Sequence, residues 1–228
     1  MIGTLYIVGT PIGNLEDITY RAVRVLSEVA VIAAEDTRHT RILLAHYQIH
    51  TLLTSYHDFN KEEKAKVLIS RLKEGDSIAL VSDAGTPTIS DPGYFLINQA
   101  ILAGIPISPI PGPSAAIAAL SISGLPTDRF SFEGFMPRKK GPRIKKLMAL
   151  QSSPQTLIFY ESPYRALGLL QDMEAVFGNR RMALCREMTK KFEEAVYGDI
   201  HEVIQTLENK KCLGEFTFVV EGNRAQKD

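Results

Sequence analysis

Cysteine is scarce in this 228-residue chain: Cys185 and Cys212 are its only two. Without a C-x-x-C pairing they form neither a disulfide framework nor a zinc pattern, and they read as reduced thiols of a cytoplasmic protein. Long apolar runs are missing as well, so no transmembrane helix and no membrane partner is expected. The opening MIGTLYIVGTPIGN has no basic stretch before its apolar run and does not read as a secretory signal. There is no net charge, because 26 basic and 26 acidic residues cancel. No Gly-Lys-Ser/Thr loop and no G-x-S-x-G elbow occurs, which speaks against a P-loop and a serine hydrolase. His46 and His50 sit at i, i+4 without further ligands near them, so no metal is expected.

What is present is ordinary globular material, 45% hydrophobic and 23% charged. Short apolar runs alternate with helical patterns through the first half. Strands are predicted at 5–8, 31–34, 77–81 and 107–110. Helices are predicted from about 19, then over 38–47, 61–73, 93–103 and 114–122. In the first helix Ala22, Val23, Leu26 and Val29 share a face; in the helix over 61–73, Val67, Leu68 and Leu72 are expected inward. Apolar strands interleaved with helices imply an α/β fold with a mostly parallel sheet covered on both faces. Gly124-Leu125-Pro126 marks the expected boundary between domains 1–124 and 125–228. The second half has strands near 130, 156, 182, 192 and 216, a basic helix, and a helix over 163–176. Its hairpin-like spacing suggests a mixed sheet.

Chemistry concentrates where strands end. Gly9-Thr10-Pro11-Ile12-Gly13-Asn14 follows the first strand and Glu35-Asp36 end the second. That loosely resembles a dinucleotide fingerprint, but the G-x-G spacing is absent, and a plain strand–helix turn is the preferred reading of the pattern alone. Ser82-Asp83-Ala84-Gly85-Thr86-Pro87, continuing to Gly93, is a loop of small residues leaving a buried strand, at the edge where ligands of open α/β sheets bind. Pro111-Gly112-Pro113-Ser114-Ala115 opens a helix whose first N–H groups are free to donate, or is simply a Pro-Gly turn. Glu35-Asp36-Thr37-Arg38-His39-Thr40-Arg41 packs both charge signs after a strand, which is costly unless the groups pair or meet a ligand. Arg138, Lys139, Lys140, Arg143, Lys145 and Lys146 put six basic residues in nine. They read as phosphate contacts or as a solvated basic face, with Phe132, Phe135 and Met136 just before them.

These blocks, with LYIVGTPIGNLEDIT, AAEDTRHT, LVSDAGTPTISDPG, PIPGPSAAIAALSISGLPTDRFSFEGFMPRKKG, LIFYESPYR, REMTKKFEE and GEFTFVVEG, resemble the small-subunit ribosomal RNA methyltransferase I family of the tetrapyrrole methylase superfamily. The resemblance runs in order over nearly the whole chain. It implies two α/β/α domains of the class III methyltransferase type, with S-adenosyl-L-methionine folded into the cleft between them. It implies methylation of the ribose 2′-hydroxyl of a cytidine in the decoding centre of 16S rRNA, on naked rRNA or the small ribosomal subunit, by a homodimer. Cofactor contacts carry over to Pro11, Ile12, Asp83, Ala84, Gly85, Thr86, Ser114, Ala115, Tyr160, Glu161, Met188 and Thr189. Candidates for the group near the hydroxyl are Glu35, Asp36, Arg38, His39, Glu161, Arg165, Glu187 and Lys190. The six basic residues from Arg138 to Lys146 are the candidate RNA contacts. Two positions depart from the family pattern: Thr88 stands where a small residue is expected and Tyr164 where His is frequent. Family members commonly run some tens of residues past the last strand, so an RNA or subunit contact made there is expected to be missing. The rivals are a tetrapyrrole-precursor methylase, an RNA-binding module without activity, and a dinucleotide oxidoreductase.

Overall fold

A computed structural model describes residues 1–208 and 213–224; Cys212 lies outside the described residues, and Cys185 is a buried free thiol. The chain forms two compact units, Met1–Ser114 and Ala115–Asp228.

The first unit alternates strands and helices: β1 (Leu5–Val8), α1 (Tyr20–Glu28), β2 (Val31–Ala34), α2 (Thr37–His46), β3 (Leu52–Ser55), α3 (Lys61–Glu74), β4 (Ile78–Val81), α4 (Tyr94–Leu102) and β5 (Ile107–Ile110). The sheet order is β3-β2-β4-β1-β5, with every pairing parallel. β2 and β4 are buried along their whole length, because helices cover both faces. Alternation sorts the side chains. Leu5, Val31, Ala33, Ile78 and Leu80 pack on α3 and α4. Val8, Ile32, Ala34, Ala79 and Val81 pack on α1 and α2. Val67 of α3 departs from expectation. It is exposed, and Ala65, Leu68 and Leu72 form the inward stripe at i, i+3, i+7. Val67 lies one residue, and so about 100° of rotation, away from Leu68.

The second unit contains α5 (Ala115–Ile122), β6 (Phe130–Phe135), α6 (Lys140–Leu150), β7 (Thr156–Glu161), α7 (Pro163–Phe177), β8 (Arg181–Arg186), β9 (Glu194–Asp199), α8 (Ile200–Glu208) and β10 (Phe216–Val220). Its sheet order is β6-β7-β10-β8-β9. β6 and β7 run parallel and the other pairings are antiparallel, a mixed sheet. One face packs on α6, α7 and α8 through Leu147, Leu169, Met173 and Val203. The other is covered by α5, whose Ala116, Ala119 and Leu120 lie on Ile158, Ala183 and Val219. That packing is why the units meet at Ser114/Ala115 and not near residue 124: α5 buries its apolar side on the second sheet.

Candidate functional site

In the first sheet, β1 and β4 are neighbours, yet the chain leaves β1 toward α1 on one face and leaves β4 toward α4 on the other. Loops that part in this way open a crevice at the carboxyl edge of the sheet. Here the two loops are clasped at their bases. The Thr10 N–H donates to the Gly85 carbonyl (2.9 Å) and the Gly85 N–H to the Thr10 carbonyl (3.0 Å). The Thr10 hydroxyl donates to the Ser82 carbonyl (3.2 Å). Gly85 has φ +75°, which the short bridge needs and which favours glycine. On the other flank the β1 and β5 loops touch backbone to backbone. A Cβ on Gly9 would stand 2.8 Å from the Gly112 Cα, so neither position admits a side chain. The β2 end is tied in by the Asp36 N–H donating to Asp83 Oδ1 (3.0 Å).

These contacts frame a cavity of about 100 Å³ lined by Thr10, Pro11, His39, Thr40, Ser82 and Asp83, among others. Pro11, His39 and Asp83 come from three separate sequence blocks and meet there. Arg38 is turned to a different task. Asp36 caps α2 by accepting from the Arg38 N–H (2.8 Å) and also holds the Arg38 guanidinium (2.6 Å). That side-chain hydrogen bond keeps the Asp36 carboxyl well below its usual range. Arg38 nevertheless remains 84% exposed.

The carboxylates around the crevice behave oppositely. Burial, then the nearby Asp91 and Asp83, push Glu35 up. Burial pushes Asp91 up too, against the hydrogen bond from Ser82. Asp91 is not among the candidates read from the sequence; its place in the small-residue loop is the available signal. That loop is also strained: Thr88 has φ +77° and Ser90 φ +67°. A β-branched residue at positive φ is a true outlier, and such strain collects at ligand-binding loops. The positive φ is the physical reason a smaller residue is expected at position 88; nothing in the structure explains the threonine itself.

In the second unit the charged candidates are paired with one another. Glu161 is fully buried at the end of β7. One of its oxygens lies 3.0 Å from the Arg165 guanidinium and the other accepts from the Ser162 N–H (2.8 Å). Arg165 also donates to the Met136 carbonyl (2.6 Å), so it holds the segment after β6. Lys190 reaches both Glu187 (3.0 Å) and Glu215 (2.8 Å). Burial opposes ionisation of Glu187, but the Glu215 N–H and Lys190 outweigh it and hold the carboxyl below its usual value. A Cβ on Gly214 would stand 2.3 Å from the Glu187 Cγ, so this cluster also needs a glycine that the reading passed over. The Tyr160 hydroxyl accepts from the Ala116 N–H (2.9 Å), capping the first turn of α5. Met188 packs with Tyr160 on the α5 side of the sheet. Thr189 sits at φ +64° with its N–H on the Glu193 carboxylate.

The six basic candidates divide. Arg143 is largely buried, with its guanidinium on Asp172 (2.5 Å) and on the Arg138 carbonyl. Lys146 pairs with Glu133 through its carboxylate (3.2 Å) and its carbonyl (2.9 Å). Lys140 is exposed and lies 3.7 Å from Asp172. Arg138, Lys139 and Lys145 stand out into solvent. Among the described residues, no group of three or more His, Cys, Asp or Glu could hold a metal, and no helix is long and apolar enough to cross a membrane.

Residues 4–204 match the family described as Tetrapyrrole (Corrin/Porphyrin) Methylases. A protein of Halalkalibacterium halodurans named ribosomal RNA small subunit methyltransferase I is 53% identical over 97% of this chain and 76% of its own length. A protein of the same name from Escherichia coli O157:H7 is 51% identical over 99% of this chain and 80% of its own. The crystal structure of uroporphyrin-III C-methyltransferase from Thermus thermophilus, complexed with S-adenosylhomocysteine, superposes with a TM-score of 0.63 at 18% identity. It covers 95% of this chain and 97% of that one. The two-sheet α/β architecture is thus shared well beyond the reach of sequence similarity. The chain belongs to the tetrapyrrole methylase family, enzymes whose methyl donor is S-adenosyl-L-methionine.

Proposed function

We propose that this protein methylates the ribose 2′-hydroxyl of a cytidine in the decoding centre of 16S rRNA, acting as a cytoplasmic homodimer. The names of relatives at about half identity over nearly the whole chain support an rRNA substrate. The observation that carries the chemistry is the cavity joining Pro11, His39 and Asp83. Its surroundings suit the methyl donor. Gly9, Gly85 and Gly112 let the framing loops close on one another backbone to backbone, and Asp83 with Asp91 offers acceptors for an ammonium group or sugar hydroxyls. In the first unit Pro11, Ile12 and Asp83 through Thr86 would hold it. Ser114, Ala115, Tyr160, Glu161, Met188 and Thr189 complete the set that the resemblance implies. When bound, it supplies a methyl group already activated by the sulfonium charge.

The remaining work falls to the chain. A ribose hydroxyl is a weak nucleophile, and a positioned base contributes about 10²–10⁴-fold. His39 lines the cavity, so a nitrogen of its ring is the group assigned to accept the hydroxyl proton. Glu161, Arg165, Glu187 and Lys190 hold the second unit's loops in place. Asp36 and Arg38 fix the start of α2, and through it His39.

Incubating the protein with labelled S-adenosylmethionine and unmodified small ribosomal subunits tests this reading. Nuclease digestion and mass spectrometry should recover 2′-O-methylcytidine. Label on a base, or methylation of a tetrapyrrole precursor in place of RNA, would overturn it.

A further inference from the structure

Three large rings stand in solvent at one end of the second sheet. Phe135 ends β6, Tyr164 follows β7 at the start of α7, and Phe192 precedes β9. Strand register places them at the same edge. Phe135 pairs opposite Tyr160 of β7, Phe216 of β10 opposite both Glu161 and Arg186, and Arg186 of β8 opposite Glu194. Their exposures are 57%, 92% and 65%. A single exposed ring is ordinary, but three along one sheet edge call for a ligand. Phe135 is not loose: Tyr160 meets it edge-on at 5.7 Å, with 63° between the ring planes.

We infer that Phe135, Tyr164 and Phe192 form a stacking platform for unpaired nucleotides of the RNA substrate, an inference that rests on the rRNA reading above. The charge at the edge fits that occupant. Arg138 and Lys139 stand exposed three and four residues beyond Phe135. At the other end Lys191 lies 5.7 Å from the Phe192 ring centre. Cations therefore flank the rings on both sides, where phosphates of a strand lying across them would run. Five strands at about 4.8 Å spacing make the edge about 19 Å wide, enough for a few nucleotides. A paired helix hides the faces of its bases, whereas unpaired bases stack on aromatic rings whatever their sequence. The platform thus selects a looped or single-stranded target, in which a ribose hydroxyl is also accessible.

The chain contains no tryptophan, so Tyr164→Trp installs a single fluorescent indole on the platform. Adding an unstructured 12-nucleotide RNA should quench its emission, and a 12-base-pair blunt RNA duplex should not. Phe135→Ala, Tyr164→Ala and Phe192→Ala should each weaken single-strand binding by about 5- to 150-fold. That is the range expected for one lost base–ring stack. Tyr164→Phe should bind like the parent, and the salt dependence of binding should stay unchanged because no phosphate contact is lost. All four should melt and bind S-adenosylmethionine like the parent. If the parent itself transfers no methyl group to small-subunit rRNA, the rRNA reading fails and this inference with it. If the parent methylates rRNA while the three alanine variants bind and methylate as it does, the platform alone is overturned. A loss seen only on assembled subunits, with naked RNA bound normally, would place a ribosomal protein on these rings and overturn the inference as well.

Discussion

The two sheet edges solve different problems with similar residues. At the first, the loops are clasped backbone to backbone: glycines face each other across β1 and β5, Gly85 bridges to Thr10, and Glu35 and Asp91 are pushed up by burial and by neighbouring carboxylates. At the second, charges cancel pair by pair: Glu161 with Arg165, Glu187 with Lys190, Arg186 with Glu194. A charged residue at a strand end is therefore not evidence of chemistry in itself. Where a partner from the same chain neutralises it, it fixes a loop; where burial and other carboxylates press on it, as on Glu35 and Asp91, it is held closer to its neutral form.

The largest expected effect falls on the second edge. Arg165→Ala leaves the Glu161 carboxylate buried without its cation and should destabilise the protein by about 3–5 kcal/mol in chemical denaturation. Replacing the pair together, Glu161→Leu with Arg165→Met, should restore most of that loss. If the single substitution were harmless, Glu161 would have to be held for a ligand and not for the fold.

The basic segment offers an internal contrast. Arg143→Gln should cost about 2–4 kcal/mol through the stranded Asp172. Lys139→Gln with Lys145→Gln should leave stability within about 0.5 kcal/mol. It should instead lower the salt slope of RNA binding by about 0.7–0.9 per lost phosphate contact. Equal effects on stability would erase the division between anchored and available charges.

A smaller effect separates the carboxylates by sign. Asp91 is raised in the folded state, so the fold holds a proton that the unfolded chain would release. Its contribution to stability therefore falls as pH rises through the carboxylate range. Glu187 is lowered, and its contribution is present above its ordinary value and lost as pH falls. Asp91→Asn should raise the melting temperature near pH 7 by about 1–2 °C and do nothing in strong acid. Glu187→Gln should do the reverse, lowering it near neutrality only. Matching pH profiles for the two variants would contradict the contrast.

Much of this was legible in the sequence, for physical reasons. Buried parallel strands such as Val31–Ala34 are continuous apolar runs, and the loop from Ser82 to Gly93 advertises itself by its small residues. β3 was not read, because Leu52–Ser55 is a partly exposed edge strand with no marked alternation. α8 was not read either, since it follows β9 directly, with no loop between Asp199 and Ile200. Its signal was nonetheless present: Asp199 and Glu202 form a reciprocal capping box, each side chain accepting from the other's N–H. The fate of the basic run could not be read locally, because Asp172, which takes Arg143 out of service, lies on a different helix 29 residues away.

The proposed chemistry sits in the first unit's cavity, with His39 beside the methyl donor. Single-turnover methylation by His39→Ala, measured with melting temperature and S-adenosylmethionine affinity on the same samples, tests it most directly. The methyl-transfer rate at saturating RNA should fall by about 100-fold or more, with cofactor affinity within a few fold and melting unchanged. An unchanged single-turnover rate in the folded variant would contradict it.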